Sequence, residues 1–63
     1  MKFYQIEYRQ DSEQMLWSED TENKKEAFEM FERAKFNGKC DIIELWLYFE
    51  DNIEGKLLKT KEL

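Results

Sequence analysis

The sequence predicts an α+β two-layer sandwich, ββαββ, in which one helix lies on one face of a four-stranded sheet of order 2-1-3-4. Three observations carry this. Phe3 to Arg9 alternates apolar and polar, Ala27, Met30, Phe31 and Ala34 recur at helical spacing, and Ile42-Ile43-Glu44-Leu45-Trp46-Leu47-Tyr48-Phe49 is the most apolar run in the chain.

Phe3 to Arg9 reads as a half-buried strand, with Tyr4, Ile6 and Tyr8 on one side and Phe3, Gln5, Glu7 and Arg9 on the other. Gln10 to Glu13 is polar and supplies a turn, after which Gln14 to Trp17 forms a short second strand, giving a hairpin. Ser18 to Asn23 is polar and acidic and leads into the helix. Asn23 is placed to cap that helix, with Glu26 three residues on, although Thr21 or Asp20 caps it if it starts a turn earlier. Lys25 with Glu29, and Glu29 with Arg33, pair along its wet side. Asn37-Gly38 is the expected stop, because glycine takes the left-handed conformation that ends helices. Phe36 falls opposite the apolar stripe, and either folds over the helix end or is exposed.

Ile42 to Phe49 is then the central strand. Glu50 to Gly55 is expected as a loop whose glycine suits a bulged hairpin turn, and Lys56 to Lys61 as an edge strand whose lysines discourage pairing with other chains. Two hairpins joined by a helix make the second and third strands parallel through a crossover, with the two most apolar strands in the middle. The helix should cover Tyr4, Ile6, Tyr8, Ile43, Leu45, Leu47 and Phe49. The other face then shows Phe3, Gln5, Glu7, Glu44, Trp46, Tyr48 and either Trp17 or Leu16.

A chain of 63 residues has room for a single small domain, 1–63, and one small core. Domains of that size often lean on disulfides, metals or a second subunit. Here one cysteine precludes an intrachain disulfide, and the lack of histidine removes the commonest zinc ligand and the commonest general base. Two tryptophans, three tyrosines and five phenylalanines nevertheless argue against disorder in a chain that is 40% charged. No apolar run is long enough to span a bilayer, and Met1 to Glu7 lacks the apolar core of a signal peptide, so a cytoplasmic protein with a free Cys40 and no membrane partner is expected.

Catalysis has no constellation to rest on. There is no histidine, no glycine-rich loop and no nucleophile motif, and Cys40, just after the helix stop and beside the acidic Asp41, reads as a small structural residue. Asp51-Asn52-Ile53-Glu54-Gly55 is too short for a calcium loop, so neither a metal nor a cofactor is expected. The net charge of −5 disfavours direct nucleic-acid binding. A ribonucleoprotein-type sheet also exposes aromatics but surrounds them with basic residues, whereas this face carries Glu7 and Glu44.

The charge is unevenly spread: −4 over residues 1–23, +2 over 24–39, −5 over 40–55 and +2 over 56–63. In the predicted topology Glu19, Asp20, Glu22, Glu50, Asp51 and Glu54 gather at one end of the sheet. They form either a solvated end or a patch that meets a basic surface on a larger protein. Phe3, Trp17, Trp46 and Tyr48 are the candidate protein interface, and ordinary surface shielding of the sheet is the alternative for them.

The expectation is a non-enzymatic protein-binding protein, a homodimer in its simplest form, that docks on a larger host protein and inhibits or regulates it. A structural or regulatory homo-oligomer with no inhibitory role is the alternative. A short, acidic, aromatic-rich chain with no catalytic residues resembles the small accessory proteins of bacterial viruses, some of which block host defence complexes. That likeness is one of size and composition over the whole chain and has no motif behind it.

Overall fold

The computed structural model describes residues 2–11, 13–49 and 52–63, the side chains of 52–54 excepted. The chain runs β1 (Lys2–Gln10), β2 (Gln14–Thr21), α1 (Lys24–Arg33), β3 (Ile42–Phe49) and β4 (Asn52–Glu62). The four strands make one sheet in the order β2-β1-β3-β4, every adjacent pair antiparallel. The ββαββ sandwich read from the sequence is therefore the fold. No helix among the described residues is long and apolar enough to cross a membrane.

The register between the central strands sets both faces. Tyr4 lies opposite Leu47, Ile6 opposite Leu45 and Tyr8 opposite Ile43, and with Ala27, Phe31 and Cys40 these residues build the core under α1. Phe3 opposite Tyr48, Gln5 opposite Trp46 and Glu7 opposite Glu44 make the second face. Asn23 caps the helix as expected, its side-chain oxygen accepting from the Glu26 amide at 2.8 Å.

Four features differ from the sequence reading. The helix stops at Arg33, short of Asn37-Gly38, and Ala34 turns into extended backbone. The Ala34 amide and the Lys61 ammonium both donate to the Phe31 carbonyl, at 3.2 and 2.8 Å, which satisfies an acceptor that another helical turn would have claimed. The early stop lets Phe36 fold back onto the core. Gly38, with φ of 61°, serves the turn into β3, where the Cys40 amide donates to the Asn37 carbonyl.

Second, β2 continues through Ser18-Glu19-Asp20-Thr21, because β1 offers unpaired backbone as far as Tyr4, which pairs with Thr21. Third, β4 begins at Asn52, so Gly55 lies inside a strand and not in a hairpin turn. Fourth, Phe49 is not covered by the helix and is 44% exposed. A ten-residue helix is about 15 Å long while an eight-residue strand is about 26 Å. The helix cannot reach the end of β3.

The last strand lies at the sheet edge as expected, and its lysines make contacts that the sequence did not show. Lys59 and Lys61 lie on the helix side, where Lys59 pairs with Glu32 at 3.4 Å and sits over the Phe28 ring, and Lys61 sits over the Phe31 ring. They tie the outer strand to α1.

Candidate functional site: the uncovered sheet face

Backbone alternation sends Phe3, Gln5, Glu7 and Arg9 of β1 and Glu44, Trp46 and Tyr48 of β3 to the face that no helix covers. A carboxylate directly opposite another across two strands is unfavourable unless a cation is shared. Arg9, two residues after Glu7 on the same face, supplies it. Its Nε lies 2.8 Å from Glu44 Oε1 and 3.1 Å from Glu7 Oε1, and its Nη2 also donates to Glu7 Oε1.

The aromatic tips close the network. Tyr48 Oη donates to Glu7 Oε2 at 2.6 Å, and Trp46 Nε1 donates to Glu44 Oε1 at 3.1 Å. Glu7 is consequently only 2% exposed although no element packs over it. Its cover is the side chains of its own sheet, and both of its oxygens are hydrogen-bonded. Burial opposes charge on the Arg9 guanidinium, but the hydrogen bonds and fields of Glu7 and Glu44 outweigh it and raise its pKa.

The rings stack in a row. Phe3 and Tyr48 have centroids 5.4 Å apart at 24°, and Tyr48 and Trp46 5.9 Å apart at 17°. Gly55 of β4 is the floor under Tyr48, since a β-carbon there would fall 2.4 Å from the ring. Leu57, opposite Trp46 and 43% exposed, extends the apolar surface toward the outer edge.

Phe3, Trp46 and Tyr48 are thus brought together as expected, and Trp17 is not. A bulge between Tyr8 and Arg9 shifts the β1–β2 register, so that Trp17 pairs with Tyr8 on the helix side and stacks on its ring at 4.5 Å. Leu16 also packs against the core, so neither of the two residues offered for the open face lies on it. Trp17 instead lines a cleft of about 420 Å³ with Glu19, Met30 and Arg33.

Of the acidic group, the described side chains of Glu19, Asp20 and Glu22 do not share one face. Glu19 faces the helix side and accepts from Tyr8 Oη at 2.8 Å, while Asp20 faces the open side and accepts from Gln5 Nε2 at 2.9 Å. Glu22 is exposed between β2 and α1. Glu50, Asp51 and the side chain of Glu54 lie outside the described residues. Sequence reasoning missed Arg9 and Gly55. The signal for Arg9 was present, since an antiparallel pairing of the two central strands sets Glu7 beside Glu44 with Arg9 two residues on; nothing in the sequence pointed to Gly55.

Comparison with protein-family models, with curated proteins and with solved structures finds no match. The geometry itself must carry any functional reading.

Both networked tyrosines make the fold sensitive to alkali. Burial, and then the hydrogen bond to Glu7, pushes the Tyr48 phenol up to about 12, and burial with the bond to Glu19 does the same for Tyr8. Each holds its proton more tightly folded than unfolded, so the stability each provides is complete below about pH 10 and is lost as the pH rises through about 12. Tyrosinate absorbance should show two late-titrating phenols, one absent in Tyr8→Phe and one in Tyr48→Phe, with loss of circular dichroism over the same interval. Titration of both groups near pH 10 in the folded protein would contradict the hydrogen bonds.

Proposed function

We propose that the protein is a non-enzymatic binding module that docks on a larger protein through the uncovered sheet face and inhibits or regulates it. The supporting observation is that Trp46 and Tyr48 are held by their polar tips to the Glu7–Arg9–Glu44 network, of which Glu7 is buried. A free aromatic side chain loses rotamer entropy when a partner immobilises it. These rings are already fixed, and rigid tryptophan and tyrosine are the residue types that anchor protein interfaces. Size, acidity and aromatic content, shared with the small accessory proteins of bacterial viruses, favour inhibition of a host defence complex as the biological form.

The test is capture from host lysate on immobilised wild type, on the Trp46→Ala/Tyr48→Ala double variant and on Leu57→Lys, which alters the same face without touching the network. A protein retained by wild type and lost with both variants is expected, each variant being checked for its fold by circular dichroism. Identical capture by all three would overturn the reading. Sedimentation at high micromolar concentration separates the rival occupant: a dimer that both variants dissolve assigns the face to self-association.

A further inference from the structure

We infer that the partner segment seated on the open face is basic, with arginine or lysine side chains laid against the Trp46 and Tyr48 rings. This rests on the docking reading above and adds the partner's chemistry.

The first observation is a segregation of charge between the two sides of the sheet. Among the described residues, strand register gives the open face four carboxylates, Glu7, Asp20, Glu44 and Glu62, against the single guanidinium of Arg9. That guanidinium is consumed by Glu7 and Glu44. Every lysine of the strands falls on the other side: Lys2 beside Phe49, Lys56 beside Leu47, Lys59 beside Leu45 and Lys61 beside Ile43. The remaining basic residues belong to α1 and the segment after it. Among the described residues the open face is thus net −3, whereas the rest carries nine basic and eight acidic groups and is close to neutral. An approaching basic surface is oriented face-first by such a field, and an anionic polymer is turned away from it.

A second observation concerns the rings. An indole or phenol attracts cations to its face through its quadrupole. Here the one polar hydrogen of each ring is donated to a carboxylate, Trp46 to Glu44 and Tyr48 to Glu7. Hydrogen bonds of that kind polarise the donor and push electron density into the ring, which makes its face a better cation acceptor. Side-chain guanidinium and ammonium groups fit this surface on both counts.

The experiment titrates isotope-labelled protein with three short synthetic peptides, alternating Arg-Thr, Lys-Thr and Glu-Thr, followed by amide and indole N–H chemical shifts at low salt. The basic peptides should move the Trp46 indole signal and the amides of Phe3, Trp46 and Tyr48, and the acidic peptide should not. Trp46→Leu should weaken binding roughly three- to five-fold, the size of one partly exposed cation–π contact. Leu57→Lys should weaken it comparably, and Glu29→Lys on the outer surface of α1 should leave it within twofold. Shifts that map to Glu22, Glu26 and Glu29, or equal losses from Leu57→Lys and Glu29→Lys, would show attraction by net charge alone and overturn the inference. A captured partner that depends on Trp46 and Tyr48, alongside silent basic peptides, overturns the cationic chemistry and leaves the docking reading standing. Peptides that bind the face when no captured protein depends on it support the inference and remove the larger partner.

Discussion

Replacing Arg9 with methionine should lower the stability of the fold by about 3 kcal/mol, the scale found when one partner of a buried ion pair is removed. The loss comes less from the Arg9 contacts themselves than from what they leave behind. Glu7 is 2% exposed and Glu44 faces it directly across the strands. Without the guanidinium, two carboxylates share one partly dehydrated site, held only by the Tyr48 and Trp46 donors. A domain of this size should melt more than roughly 10 °C lower. Adding Glu7→Gln to the Arg9→Met background should recover part of the loss, because a neutral amide opposite Glu44 ends the repulsion. Urea denaturation followed by circular dichroism measures all four corners of this cycle. Independent, additive losses would mean that the three charges are not one unit.

Gly55→Ala is the second large effect, expected at about 2 kcal/mol, within the range for overpacking. An added methyl would sit 2.4 to 2.9 Å from three atoms of the Tyr48 ring. That ring cannot simply swing aside, since its hydroxyl is bound to Glu7 and its faces stack on Phe3 and Trp46. The same substitution in a Tyr48→Ala background should be neutral or stabilising by a few tenths of a kcal/mol, because glycine in a strand is otherwise unfavourable. A similar loss in both backgrounds would show that Gly55 is needed for its backbone and not for the room it leaves.

The two faces of the sheet were legible because strand alternation is local. Once Phe3 to Arg9 and Ile42 to Phe49 are read as strands, the faces of Tyr4, Ile6, Phe3, Trp46 and Tyr48 follow from counting by two. The cap at Asn23 was legible for the same reason, as it involves only its own first turn. Trp17 was not, because a bulge adds one residue to its strand and reverses every face beyond it. The same alternation sends Glu19 and Asp20 to opposite sides of the sheet. The stop of α1 was equally hidden, since part of what satisfies the Phe31 carbonyl is Lys61, thirty residues away.

By itself, then, the sequence determined the element order, the sheet order and the residues of the two central faces, all consequences of short-range periodicity and of the burial it demands. Only the tertiary structure decided that the open face is a connected polar and aromatic network. Cross-strand register brings Glu7, Arg9, Glu44, Trp46, Tyr48 and Gly55 within contact distance from three different strands, and the energy of like charges sharing one cation depends on distances of a few ångströms that no local pattern encodes.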